Sequence, residues 1–332
     1  MYFLVGSSLL FAFLFSVNLA TSVASALAWH LLANTASNWS ARTRQNLIFL
    51  LRIAPPALAA VFIFAFVLPS FLMFEPGSTD EVVGLKLAVI ALISAFGIAA
   101  AFCRIFASWW RTRRLIREWL MLSEPFMIES MSIPAFRLRH PFPVIAIVGV
   151  FRPKMFVAEN VLSELDEEEL AAAIAHECGH ISTHDNLKRI IMRICADLLV
   201  FPLGKTLDRV WLDTAESAAD EFAANKGGKR SALDLASALI KVGKITPQEK
   251  VWEMPLGAFL LEPTERPLTF RVDNLLRIAD MPAGGYSITA RSETAIKLIL
   301  FLTAVLVLLL ALNNGILSAV HSISETLFII LQ

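Results

Sequence analysis

Four apolar stretches, at about 3–28, 53–74, 83–107 and 295–314, are each long enough to cross a bilayer, and they constrain the fold before any motif does. A spanning helix needs roughly 20 mostly apolar residues, and in hydrocarbon only helices and closed barrels satisfy their own backbone. Of the 332 residues, 56% are hydrophobic and 17% charged, a balance too apolar for an ordinary soluble domain. The first stretch lacks a basic leader and a small-residue cleavage site, so it reads as a retained span and not a signal peptide. Formal net charge is zero and gives no footprint for nucleic acid, so the partner implied by composition is the lipid bilayer.

The basic residues set the expected orientation. Arg42, Arg44 and Arg52 follow the first stretch, whereas Glu75, Asp80 and Glu81 follow the second. Arg111, Arg113, Arg114 and Arg117 follow the third, beside the interfacial anchors Trp109, Trp110 and Trp119. The positive-inside rule then predicts a multi-pass protein of a bacterial cytoplasmic (inner) membrane. Its large polar domain would be cytoplasmic, and its N-terminus and C-terminal tail outside. Three free cysteines, Cys103, Cys178 and Cys195, fit a reducing compartment.

The expected organisation is three spans over 1–119, a polar domain over 120–290, and a fourth span with a short tail over 291–332. Ile316, Leu317, Val320, Ile323, Leu327 and Phe328 share one helical face of that tail, as an interfacial helix or a partner's groove requires. In the polar domain, Val144–Val148 and Lys154–Ala158 read as a hairpin about Gly149–Pro153. Asp166 and Glu169 form a capping box for the best-defined helix, with Leu165 and Leu170 as its hydrophobic staple. Further helices are predicted over about 207–225 and from Ser231, with Asp234 at the capping position, to near Gly243.

The capped helix runs into His176-Glu-Cys-Gly-His180. Positions four apart lie one turn apart on one helical face, so both imidazoles can reach one tetrahedral ion. Glu177, on the same turn, is placed to take a proton from water at that ion, whereas Cys178 points off the shared face. A catalytic zinc usually takes three protein ligands and leaves one position open. Glu216 supplies the third candidate ligand, and Asp220, one turn on, can accept from a ligand histidine. Asp185 reads as a structural acceptor at the helix end. His184, one turn past His180, reads either as support for substrate or as a surface histidine.

With these motifs in place, the chain resembles the membrane metallopeptidases typified by the β-lactam sensor/transducer proteins, peptidase family fifty-six of the gluzincins. The likeness rests on three spans before the domain, Gly149-Val-Phe-Arg-Pro153 before a strand, the His176 to Asp185 run, Phe201-Pro202, Glu216-x-x-x-Asp220 and a closing span. The neighbouring CAAX-prenyl and heat-shock membrane proteases are similar in Glu216 to Ala224, in Leu235 to Ile240 and in Pro267-Leu-Thr-Phe-Arg271-Val.

The resemblance implies an α-helical integral membrane protein with an inserted, mostly helical zincin-like α+β metallopeptidase domain. It also implies one Zn2+ on His176, His180 and Glu216, with Glu177 as catalytic base, Asp220 behind the ligands and Arg271 in support. The substrate would be a protein or peptide, such as a repressor cleaved in signalling with a separate sensor protein as partner. Housekeeping proteolysis of membrane proteins and a non-catalytic zinc-bound scaffold are the alternatives. By analogy, Met155 to Ala158 would offer backbone to an extended peptide.

Overall fold

The computed structural model describes residues 2–75, 82–128, 133–198, 204–246, 257–259, 268–280, 303 and 305–331. Three long apolar helices form a bundle. They are α1 (Tyr2–Ala36), then α2 (Ala41–Phe62) running through a π-helical turn (Ile63–Val67) into α3 (Leu68–Phe74), and α4 (Leu85–Met121). These continuous rods have 35, 34 and 37 residues, so at about 1.5 Å per residue each exceeds a hydrocarbon layer of roughly 30 Å. The surplus lies at the end of α1, the start of α2 and the end of α4, all on one side. There they form a stalk that carries the polar domain.

The joint between stalk and domain is both apolar and charged. Ile48 of α2 packs with Met192, Leu207, Trp211 and Ala215, and Trp29 of α1 flanks them. Arg52 donates through Nε to Asp208 Oδ1 at 2.7 Å, and its guanidinium occupies the space where a side chain at residue 204 would go, which is why Gly204 stands there. Ser40 caps α2 by accepting from the Thr43 amide at 3.3 Å. The Ala41 amide, an orphan donor of the first turn, reaches the Glu221 carboxylate at 3.0 and 3.1 Å.

The polar domain is built on five short strands: β1 (Ser123–Phe126), β2 (Ala135–Leu138), β3 (Ile145–Val148), β4 (Lys154–Ala158) and β5 (Gly257–Phe259). They lie in the order β1-β2-β4-β3-β5, with β2 and β4 parallel and the other pairs antiparallel. The expected hairpin is present in β3 and β4, turned at Gly149, whose φ of 103° suits a residue without Cβ. The expected open edge at Met155 to Ala158 is absent. β4 is bonded on both sides because β2 returns to pair with it, and an incoming peptide finds no free backbone there.

One core joins this sheet to the helices. Trp119, at the end of α4, meets Phe156 edge-on at 5.1 Å between ring centroids, so the third rod is anchored in the sheet. Behind the strands lie α5 (Glu159–Glu164), α6 (Glu167–Ser182), α8 (Lys205–Ile245) and α9 (Leu268–Asp280). α7 (Asp185–Asp197) lies between the domain and the stalk. The capping box of α6 forms as expected: Asp166 Oδ1 accepts from the Glu169 amide at 2.8 Å, and Glu169 Oε2 accepts from the Asp166 amide at 3.0 Å.

Two sequence expectations change. α8 is two helical segments that meet at a kink at Gly228, with φ 69° and ψ −155°, so the second segment starts before Ser231. The Ser231 hydroxyl donates back to the Ala223 carbonyl at 3.0 Å and does not cap a helix. Of the expected fourth span, 295–314, the described part is helical over 305–311, whereas 295–302 and 304 lie outside the described residues, as does Phe201-Pro202. The helix Asn314–Leu331, expected as a short amphipathic tail, is itself long and apolar enough to cross a bilayer. It seats Leu317, Ser324 and Phe328 against the bundle end, where Val5, Leu9, Val67, Phe71 and Leu87 form the facing cluster.

Candidate metal centre

The site forms where α6 crosses α8. A Cβ on Gly179 would fall 2.9 Å from Ala219 Cα and 3.2 Å from its Cβ, so the two helices touch backbone to backbone at that point. Glycine in His176-Glu-Cys-Gly-His180, opposite Ala219 in Glu216-Ser-Ala-Ala-Asp220, is what lets short side chains from both helices meet. His176, Glu177, His180, Glu216 and Asp220 are each at most 3% exposed.

The candidate ligands converge with the spacing of a small ion's coordination shell. His176 Nε2 and His180 Nε2 are 3.3 Å apart. Glu216 turns one oxygen to each ring, Oε2 to His176 Nε2 at 3.6 Å and Oε1 to His180 Nε2 at 3.5 Å. Ligands at about 2.0–2.1 Å in tetrahedral array stand about 3.3–3.4 Å apart, so the described positions need almost no adjustment to hold zinc.

A second layer of carboxylates fixes both rings. His176 Nδ1 faces Asp220 Oδ1 at 2.9 Å, and His180 Nδ1 faces Asp185 Oδ2 at 2.8 Å. A proton held on each Nδ1 by its carboxylate leaves the Nε2 lone pair directed at the centre. Asp185 therefore stands closer to the chemistry than the structural acceptor expected from sequence. The reason is the backbone at His184, the one non-glycine residue with positive φ (56°) among those described. That left-handed residue ends α6 and re-aims the chain, so Asp185 at the start of α7 folds back on His180. The His184 side chain is exposed, and among the described residues it makes no contact with the buried cluster.

Two residues complete the layer. Arg271 of α9 donates from Nη2 and Nε to the two oxygens of Asp220 at 2.6 and 3.0 Å, and its Nη1 lies 3.0 Å from Glu216 Oε2. Gln45 of α2 donates from Nε2 to Asp185 Oδ1 at 2.6 Å, extending the chain of contacts from His180 into a membrane helix. Sequence reading missed Gln45 and Gly179. Asn186 donates to the Ile147 and Gly149 carbonyls at 3.1 Å each, which ties α7 to the end of β3.

The electrostatics favour a cation. Three buried carboxyls, from Glu177, Glu216 and Asp220, share the one Arg271 guanidinium, and a fourth, Asp185, stands behind His180. Burial pulls the His176 imidazole down, yet its bonds to Asp220 and Glu216 outweigh that and push it up to about 9. Burial drives the Glu216 carboxyl up, but Arg271 and then the histidines hold it at about 2. Such a field accepts a divalent ion where it would otherwise draw protons. Burial, opposed by His180 and His176, pushes Glu177 up to about 7, and among the described residues neither of its oxygens has a hydrogen-bond partner. An unpartnered buried carboxyl beside three convergent ligand atoms is what a bound ion and its water would satisfy. A second group, Glu75, His321 and Glu325, lies where the C-terminal helix meets the bundle end, with His321 Nε2 4.0 Å from Glu75 Oε2.

The sequence model of peptidase family M48 matches residues 145–209, from β3 through α6 and α7 into α8. That stretch contains His176, Glu177 and His180 and stops before Glu216. Among curated proteins, Protease HtpX of Psychrobacter sp. (strain PRwf-1) is 24% identical over 160 residues, covering 42% of this chain and 53% of that protein. The chain thus spans about half the length of that relative. With four helices apolar enough to cross a bilayer, these likenesses support a membrane metallopeptidase. They fall with the neighbouring protease group and do not bear out the finer likeness to the sensor/transducer proteins.

Proposed function

We propose that the chain is a zinc-dependent metalloendopeptidase embedded in a bacterial inner membrane, with its domain on the cytoplasmic side, cleaving peptide bonds of membrane-proximal proteins. The observation that carries this is the 3.3, 3.5 and 3.6 Å triangle of His176, His180 and Glu216, with both far ring nitrogens held by carboxylates. His176, His180 and Glu216 would hold the ion. Zinc at that place supplies Lewis-acid polarisation of a carbonyl and of water. Glu177, with no competing bond, takes the proton from the attacking water and returns it to the leaving amine. Arg271 and Asp220 keep Glu216 and His176 oriented, and burial keeps the charges in a low dielectric where their directions count.

Housekeeping cleavage of membrane proteins and regulated cleavage of one repressor with a separate sensor are the two forms this activity could take. Replacing Glu177 by Gln leaves the ligand triangle intact and removes the base. Detergent-purified Glu177→Gln should carry about one zinc per chain and no peptidase activity, whereas His180→Ala should lose both. A Glu177→Gln variant that lacks peptidase activity yet behaves like wild type in cells would favour the scaffold alternative, and one that keeps full peptidase activity would remove Glu177 as the base. Proteins accumulating in cells that carry Glu177→Gln separate the two protease readings: many membrane proteins for housekeeping, one soluble protein for signalling.

A further inference from the structure

Away from the metal centre, a cavity of about 480 Å³ opens between the end of α4 and α7. Its size lies within the range of small-ligand sites, roughly 300–1,000 Å³. Arg104, Arg111, Arg193 and Asp197 supply its charge, and Ile105, Ile190 and Ile194 give it an apolar wall. Arg104 Nε pairs with Asp197 Oδ1 at 3.0 Å and cancels the acid. Among the described residues no ion pair within 4 Å is made by Arg111 or Arg193, and although Arg193 also acts on Asp197 at longer range, three guanidinium groups stand against one carboxylate and leave the cavity net positive.

The level of the cavity decides what fills it. From Leu85 to Cys103, α4 is uncharged apart from Lys86 in its first turn, a rise of about 27 Å, close to the roughly 30 Å thickness of a hydrocarbon layer. Arg104 therefore stands at the hydrocarbon boundary and Arg111 two turns beyond, among headgroups. Exposed Trp109 and Trp110 on the same stretch mark that interface. A ligand here meets guanidinium groups at headgroup depth and isoleucines toward the acyl layer.

We propose that this cavity is a site for one anionic glycerophospholipid, its phosphodiester held by Arg111 and Arg193 and an acyl chain lying along Ile105, Ile190 and Ile194. Basic pockets between helices at this depth suit anionic headgroups, and a zwitterionic lipid carries its own cation into a site that already has two. Free phosphate would satisfy the arginines but leave the apolar wall bare.

The test is native mass spectrometry of the intact detergent-purified chain, titrated with phosphatidylglycerol, phosphatidylcholine or inorganic phosphate. Wild type should retain one phosphatidylglycerol at concentrations where phosphatidylcholine is lost. Each of Arg111→Gln and Arg193→Gln should weaken retention roughly 5-fold, and the pair about 25-fold. Arg113→Gln, whose guanidinium lies 4.0 Å from the Trp109 ring centroid, should leave retention unchanged. The proposal is overturned if the folded double variant keeps phosphatidylglycerol as wild type does. Equal retention of phosphatidylcholine, or displacement of the lipid by equimolar phosphate, overturns it as well.

Discussion

A methyl group on Gly179 would come within 2.9 Å of the Ala219 α-carbon, and this close approach of α6 to α8 sets the width of the ligand triangle. Gly179→Ala must push the helices apart, at a cost of about 1–3 kcal/mol for an overpacked contact. The helical propensity gained by alanine, about 1 kcal/mol, does not offset it. We expect zinc affinity to fall at least 10-fold while Gly243→Ala, outside the site, retains it; competition with a chromophoric chelator measures both.

Gln45 and Asp185 are 140 residues apart in sequence and 2.6 Å apart in space. Gln45→Met keeps the volume and removes the donor, leaving Asp185 less firmly held against His180. Loss of an outer hydrogen-bond partner typically costs 10–100-fold in metal affinity for a direct neighbour of a ligand. Being one step further out, Gln45 should cost roughly 3–10-fold. Zinc affinity indistinguishable from wild type would show that the membrane helix does not reach the centre.

Arg271→Lys preserves charge but not the fork that grips both oxygens of Asp220 and reaches Glu216. The His176 ring should lose its fixed orientation, with zinc affinity down about 10-fold or more. Arg271→Met, which leaves buried carboxylates uncompensated, should also destabilise the apo fold by roughly 3–5 kcal/mol. Denaturant melts of the metal-free forms distinguish the two.

Glu169 gives a pH-dependent prediction remote from the metal. Burial raises its carboxyl, but bonds from Lys241, Ser237 and the Asp166 amide outweigh that and hold it below its ordinary value. A depressed carboxylate stabilises above its unfolded value of about 4.3 and loses that contribution as pH falls through the folded value. Glu169→Gln should therefore melt on the order of 2 °C lower than wild type at pH 7, with the gap closing as pH falls below the unfolded value and through the lower folded one. A gap that persists at acid pH would assign the effect to packing.

The sequence made the centre legible wherever the chemistry is local. His176, Glu177 and His180 fall within one helical turn, the Asp166 capping box fixes where that helix starts, and Glu216 with Asp220 repeats the same period. Non-local partners left no comparable trace. Nothing in the basic segment between the first two apolar stretches marks Gln45 as an outer support, and a β-rich run does not reveal that β2 will pair with β4 and close its edge. His184 was singled out for its imidazole, whereas its contribution is a left-handed backbone turn that brings Asp185 back to the ring. The break at Gly228 was displaced to Ser231 because serine resembles a cap, although glycine supplies the conformation.

Ala41, Gln45 and Arg52 fasten one transmembrane rod to the domain at three heights along about 17 Å of its length. A rod held so can neither roll nor shear without dragging the histidine-bearing layer with it. Trimming away the lipid-facing half would strip Ile48 and Trp29 from the joint and leave Asp185 and Asp208 without their buried donors. The polar half has, on this architecture, no independent water-soluble form.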